Sequence, residues 1–98
     1  MNCEVRLREE ADRDLTEAAL WYELHRPGLG HEFIDEAARA LNGIAQHPLA
    51  YPVVWREIRR ALLNRFPFGI FFRISNDTVV VLAIMHGSRH PQNWKGRK

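Results

Sequence analysis

Basic residues suited to phosphate chemistry are concentrated in the second half of this 98-residue sequence. His86 follows an apolar run, and an imidazole ordinarily titrates near neutrality, so it is suited to act as a general acid or base. Arg73 and Arg89 could stabilise negative charge that develops on a phosphate. These three residues are the candidates for metal-free cleavage of a phosphodiester. The alternative for His86 is a structural role at the end of a buried strand.

A second group of basic and aromatic residues is suited to binding an anionic partner. Arginine holds carboxylates and phosphates through paired hydrogen bonds, and tryptophan adds apolar contact area. The candidates for target or partner binding are Arg59, Arg60, Arg65, Arg73, Arg89, Trp94 and Trp21. Two structural alternatives stay open: the strand arginines could protect a sheet edge from aggregation, and Trp94 could pack back on the domain.

Charge is distributed unevenly along the chain. Residues 1–50 contain ten acidic residues and five arginines, whereas residues 51–98 contain nine basic residues and two acidic ones. This asymmetry predicts one basic face for an anionic partner, either a nucleic acid or an acidic protein segment. The alternative is an acidic helical layer that complements a basic sheet within the domain.

Metal-binding spacing is absent from the sequence. The single cysteine, Cys3, has no companion at zinc-ligand spacing. His86 and His90 are four residues apart, but Pro91 disfavours a helix that would place both on one face. The sequence therefore predicts neither a metal site nor a cofactor.

The length of the chain predicts one domain over residues 1–98, in which residues from about 90 to 98 form a flexible basic tail. The charged, alternating start lacks the apolar run of a signal peptide. No stretch of about 18 consecutive apolar residues exists that could span a membrane. We therefore expect a cytoplasmic protein that does not enter a membrane.

Hydrophobic periodicity in the first half predicts a strand followed by two helices. Cys3–Arg8 alternates between apolar and polar residues, as in a half-buried strand. A helix follows from Glu9 and ends at Pro27-Gly28, and a second helix ends at His47-Pro48. The inward stripes are Ala11, Leu15, Ala18 and Tyr22 on the first helix, and Phe33, Ala37, Leu41 and Ile44 on the second. Because their link is short, the helices must form an antiparallel hairpin.

The second half predicts an antiparallel meander. The predicted segments are a loop at Pro48–Glu57 and strands at Ile58–Asn64, Phe66–Ile74 and Thr78–Met85, the last of them covered on both faces. The order strand, helix, helix and three strands (β-α-α-β-β-β) indicates an α+β domain whose helices pack on one sheet face. The opposite face, which carries Gly69 and Arg73, is expected to be open for binding.

A series of motifs in a fixed order resembles a known family. The motifs are Ala11-Asp12-x-Asp14-Leu15, Trp21-Tyr22-Glu23, Arg26-Pro27-Gly28-Leu29-Gly30, Phe33, Arg59-Arg60, Phe66-Pro67-Phe68, Val81-Leu82-Ala83, His86 and Arg89-His90-Pro91. Over nearly the whole chain they resemble the RelE/ParE superfamily of type II toxins, in its ParE-like plasmid-stabilisation branch. The resemblance implies a cognate antitoxin whose acidic, amphipathic C-terminal segment wraps around the toxin in a hetero-oligomer.

The superfamily divides by mechanism, and this chain departs from the catalytic branch. RelE-like members cleave messenger RNA on the ribosome, with an arginine early on the strand that here runs Phe66–Ile74, where this chain has Gly69. A late catalytic tyrosine of the RelE-like members is matched here by a position near Trp94. Their two lysines on the preceding strand are matched by Arg60 and Leu62. The resemblance therefore favours the ParE-like branch, which is associated with inhibition of DNA gyrase.

We predict a ParE-like toxin that inhibits DNA gyrase by binding and performs no catalysis. One alternative is a ribosome-dependent endoribonuclease that uses His86, Arg73 and Arg89, of which Arg89 matches a second arginine of the catalytic branch. The other is a degenerate member that only binds its antitoxin. The sequence leaves the target, the identity of the antitoxin and the stoichiometry of the complex open.

Overall fold

The computed structural model describes residues 2–86, which form one layer of helices on one sheet. The elements are β1 (Glu4–Leu7), α1 (Glu9–His25), α2 (Leu29–Gln46), β2 (Val53–Trp55), β3 (Ile58–Leu62), β4 (Phe68–Ser75) and β5 (Thr78–His86), with a short 3-10 turn at Pro48–Ala50. The α+β class and the order of strand, helical hairpin and meander are confirmed.

The five strands form one sheet in the order β1-β5-β4-β3-β2. Strands β3, β4 and β5 are antiparallel neighbours, as predicted, and β1 pairs in parallel with β5. A parallel pair cannot be joined by a tight turn, so the chain must cross over the sheet between the two strands. The helical hairpin lies within this long crossover and therefore packs on one face.

The main core lies between the hairpin and the sheet. Phe33 and Ile44 from α2 and Phe72 from β4 have no exposed surface there. The predicted inward stripes of both helices are confirmed, because their residues are buried or half-buried on this side. Neither helix within residues 2–86 combines the length and the apolar character needed to cross a bilayer.

The predicted loop at Pro48–Glu57 is wrong in part, because it contains strand β2. The run Val53-Val54-Trp55 is β-branched and aromatic, which favours extended backbone. Trp55 pairs with Ile58 across a two-residue turn, so β2 and β3 form a hairpin at the sheet edge.

The second sheet face, which faces away from the helices, is not open along its whole length as predicted. Its centre is a separate buried cluster of Ile58, Phe71, Leu82 and Ala83. Half-buried side chains of the same face pack around this cluster, namely Val54, Trp55, Val80 and Met85. Apolar residues on both faces of β4 and β5 make the cluster, so binding surface is confined to its margins.

A β-bulge in β5 changes which side chains face the helices. Phe71 pairs with Ala83 and Phe72 pairs with Val81, which leaves Leu82 as an extra residue in β5. Leu82 and Ala83 consequently both pack in the second-face cluster. Beyond the bulge the alternation is inverted.

The turn between β3 and β4 is fixed to α2 by a buried carboxylate. Glu36 is only 6% exposed. Its Oε2 accepts hydrogen bonds from the backbone N–H groups of Asn64 at 2.5 Å and Arg65 at 2.9 Å. The carboxylate thereby satisfies two backbone donors of the turn.

The link between the helices is fixed by Glu23. Gly28 has φ +90, a left-handed conformation that glycine adopts without strain. The Glu23 carboxylate accepts hydrogen bonds from the N–H of Gly28 at 2.9 Å and of Gly30 at 3.0 Å. A Cβ at Gly30 would lie 2.6 Å from the Ala19 carbonyl oxygen, so glycine is required for the helices to approach this closely. These backbone bonds lower the pKa of Glu23.

Replacing Glu23 should change how stability depends on pH. A lowered pKa in the folded state stabilises the protein fully above the ordinary glutamate pKa of 4.5, and this contribution is lost as pH falls through the lower folded-state value. The excess stability of the wild type over Glu23→Gln, measured by urea unfolding, should therefore shrink below pH 4.5. Glu17→Gln, an exposed change of the same charge on α1, is the control. A constant difference down to strongly acidic pH would contradict this role.

Candidate functional site

An open groove lies between α1 and the C-terminal end of β5. It encloses about 500 Å³, and we call it the α1–β5 groove. Its lining residues are Asp14, Glu17, Ala18, Trp21, Tyr22, Pro67, Phe68, Ile84, Met85 and His86. The groove exists because β1 ends at Leu7, which pairs with Val81, so the rest of β5 has no strand on the edge opposite β4.

Aromatic rings form much of the groove surface. Trp21 is 55% exposed and stacks on His25 with ring centroids 3.8 Å apart. The Trp21 and Tyr22 rings are nearly perpendicular, with their centroids 5.1 Å apart. On the opposite wall of the groove, the ring centroids of His86 and Phe68 lie 5.2 Å apart. The structure thus brings Trp21 and His86, which are far apart in the sequence, to one surface suited to an apolar partner.

Asp14 closes the polar wall of the groove. Beyond β1, the backbone N–H of Arg8 still donates to the Val81 carbonyl at 3.0 Å. Further along the same edge, the Ile84 N–H donates to Asp14 Oδ2 at 3.0 Å. A helix side chain therefore takes the place of a strand as the partner of this buried backbone donor.

Arg60 and Arg73 lie together with Gly69 on the second sheet face. Arg60 is opposite Phe71, and Arg73 follows two residues after Phe71 on β4, so both arginines border the buried cluster. A Cβ at Gly69 would lie 3.3 Å from Arg60 Cγ and 3.4 Å from Leu62 Cδ2. The aliphatic part of Arg60 and the Leu62 side chain thus lie against Gly69.

Arg59 and Arg65 do not join Arg60 and Arg73 on the second face, because each contacts a residue of another element. Arg59 Nη1 donates to the Tyr51 carbonyl at 2.6 Å, at the margin of the helical side. Arg65 donates to Glu32 of α2, and this contact lowers the pKa of the Glu32 carboxyl. These two arginines therefore tie the sheet to neighbouring elements.

The predicted site residues in the tail, Arg89 and Trp94, lie outside the described residues, as does the predicted flexible segment from about 90 to 98.

Of the three residues proposed for phosphodiester cleavage, the two within residues 2–86, His86 and Arg73, do not lie together. His86 pairs with Phe68 and lies on the helical side, whereas Arg73 pairs with Val80 and lies on the second face. Phe68 and Arg73 are five positions apart on β4, about 16 Å at roughly 3.3 Å per residue. One phosphate cannot contact both side chains.

Sequence reasoning missed Asp14 and Glu36 as positioning residues. Asp14 stands within a motif already recognised, but only the end of β1 shows why its carboxylate is needed. Arg56 follows the β-branched run of β2, and that run is the signal that could have identified a hairpin turn. Within the described part of the chain, no three His, Cys, Asp or Glu side chains group closely enough to hold a metal ion.

A family model identifies the family of this chain, and solved structures share its fold. The family model "ParE toxin of type II toxin-antitoxin system, parDE" matches residues 5–91. A chain from the chromosomal ParDE toxin–antitoxin system of P. aeruginosa is similar, with TM-score 0.77, 18% identity, and coverage of 86% of this chain and 95% of that one. A chain of the RelBE2 toxin–antitoxin complex of Mycobacterium tuberculosis has TM-score 0.63, 20% identity, and coverage of 88% and 99%. No curated protein matches the sequence significantly.

Removing the Asp14 carboxylate should destabilise the fold and expose the end of β5. Asp14→Ala leaves the Ile84 N–H without its acceptor, which should cost about 1–3 kcal/mol in unfolding free energy. Amide hydrogen exchange at Ile84 should accelerate relative to that at Val79. Glu17→Ala changes the same charge in the same groove and is the control. Equal stability and unchanged exchange in Asp14→Ala would show that this bond contributes nothing.

Proposed function

Because the chain belongs to the family of ParE toxins of type II toxin–antitoxin systems, we propose that it inhibits DNA gyrase by binding and does not itself cut a substrate. The cytoplasm, where gyrase acts on the chromosome, is the proposed location. The observation that carries the binding mode is the separation of His86 and Arg73 on opposite sheet faces.

Metal-free RNA cleavage requires convergent groups, and this requirement supports the proposal. A base, an acid and a cation must reach one phosphodiester within hydrogen-bonding distance. His86 lies in the α1–β5 groove, Arg73 on the second face, and Gly69 offers no side chain between them. The described surface is therefore better suited to hold a partner than to catalyse a transfer.

A cognate antitoxin is the second proposed partner. Both similar structures come from toxin–antitoxin systems, and one is described as a complex. The α1–β5 groove supplies an apolar surface around Trp21, and Arg60 and Arg73 supply positive charge at the border of the second-face cluster. An acidic, amphipathic antitoxin segment would complement both features in a hetero-oligomer.

Two assays with purified protein distinguish the proposed target from its alternatives. Added to gyrase and relaxed plasmid, the toxin should reduce ATP-dependent supercoiling, whereas translating ribosomes should show no codon-phased cuts by primer extension. Addition of the antitoxin should restore supercoiling. Ribosome-dependent cuts would overturn the binding mode, and silence in both assays would favour a member that only binds its antitoxin.

Truncation of Trp21 should weaken antitoxin binding without unfolding the toxin. The side chain is 55% exposed, so its main loss on truncation is contact area in the groove. A buried aromatic anchor at an interface is worth about 2 kcal/mol or more, which corresponds to about a thirtyfold rise in Kd by calorimetry.

Leu49→Ala is the matched control, because Leu49 is 73% exposed and does not line the groove. Its Kd should equal that of the wild type. Wild-type affinity in Trp21→Ala, with both variants folded by circular dichroism, would remove the groove from the antitoxin interface.

A further inference from the structure

The β2–β3 hairpin carries an arginine where the backbone favours glycine. Trp55 pairs with Ile58, so Arg56 and Glu57 are the two turn residues. Arg56 has φ +52, in the left-handed region. Two-residue hairpin turns need such a conformation, which glycine or asparagine usually supplies. For other residues it costs about 1 kcal/mol. An arginine kept at this cost points to use of its side chain.

The Arg56 guanidinium is held in place by an aromatic ring. Its Cζ lies 4.7 Å from the centroid of the Trp55 ring. A guanidinium held over an aromatic face can still donate the N–H groups that lie in its own plane, and a carboxylate can accept two of them.

Arg73 meets Arg56 at a pocket on the second face. The pocket encloses about 430 Å³ and is lined by Arg56, Glu57, Ile58 and Arg73; we call it the hairpin pocket. Ile58 is fully buried and contributes an apolar wall. Neither arginine forms a salt bridge with any of residues 2–86. Both guanidinium groups are therefore available to an anion from outside the described fold.

The pocket selects a single anionic group over a polyanion. Two guanidinium groups and the Glu57 carboxylate leave one net positive charge, which one carboxylate neutralises. Nucleic acids bind where several basic residues neutralise successive phosphates, and Glu57 would repel the neighbouring ones.

We propose that the hairpin pocket binds one carboxylate side chain of an acidic peptide segment, through Arg56 and Arg73. The identification of that segment with the antitoxin rests on the proposed function, but the carboxylate site itself does not. Charge-assisted, bidentate contacts to both guanidinium groups give the affinity, and the Trp55 ring keeps one of them in position.

Propionate, a carboxylate on a short aliphatic stem, is the probe. In wild-type protein, the arginine Nε–Hε NMR signals of Arg56 and Arg73 should shift saturably with sodium propionate at constant ionic strength. The signal of Arg13, an exposed arginine on α1, should not shift. Arg73→Gln should raise the propionate Kd about tenfold, a loss typical of a charge-assisted contact.

Arg56→Gly separates binding from folding. Glycine relieves the positive φ, so this variant should remain folded while its propionate Kd rises about tenfold. Arg13→Gln carries the same loss of charge and should bind propionate as the wild type does. Uniform shifts of all exposed arginines, or wild-type Kd in both pocket variants, would overturn the site.

Two further binding measurements identify the source of the anion. Tighter binding of inorganic phosphate or of a short single-stranded oligonucleotide than of propionate would overturn the carboxylate assignment. An antitoxin that binds the Arg56→Gly, Arg73→Gln double variant at wild-type affinity would overturn the pocket's place in that complex and leave the proposed function intact. Failure of any antitoxin to bind the wild type would refute the proposed partnership, whatever propionate does.

Discussion

Strand β5 is buried on both faces, and the fold depends on partners for both of its edges. An unpaired backbone group at such a site costs about as much as a lost hydrogen bond, roughly 1–3 kcal/mol. One edge of β5 is paired along its length with β4. The first part of the other edge is paired with β1, and the helical hairpin lies between β1 and β5 in the chain. Where β1 ends, Asp14 of α1 accepts from the Ile84 N–H. The helical layer, the parallel pair and the α1–β5 groove all follow from this one constraint.

The bulge at Leu82 links this constraint to function. Side chains alternate between the two faces along a regular strand. Without the extra residue in β5, His86 would therefore lie on the same face as Arg73. With the bulge, His86 packs beside Phe68 on the helical side, and Arg73 stays on the second face. The two residues most capable of acid–base and phosphate chemistry thus serve separate surfaces. One is the aromatic α1–β5 groove, and the other is the part of the second face where arginines border the buried cluster. This division suits binding of macromolecules better than catalysis at one phosphate.

Much of the fold could be predicted from the sequence because its signals are local. The inward stripes of both helices, the glycine-rich link and the apolar run of β5 are read directly from residue spacing. Strand β2 was missed because three residues next to Pro52 give a weak signal. The bulge in β5 was missed for another reason. When every residue of a strand is apolar, the sequence does not show which residues face the helices and which face the other side. Since the faces of His86 and Met85 depend on that bulge, the division of the site into two surfaces could not be predicted. Nor could the attachment of Arg65, whose partner Glu32 is 33 residues away, or that of Arg59, which meets Tyr51 only because the unpredicted strand β2 folds back along β3.

The side of the sheet on which His86 lies is the point on which the binding mechanism depends most directly. Nuclear Overhauser effects from the His86 ring protons measure it in solution. Contacts with the ring of Phe68, whose centroid is 5.2 Å away, are the expected result. Contacts with Phe71 or Leu62, side chains of the second face, would place His86 on the same face as Arg60 and Arg73 and would contradict the separation of two surfaces on which the binding mechanism rests.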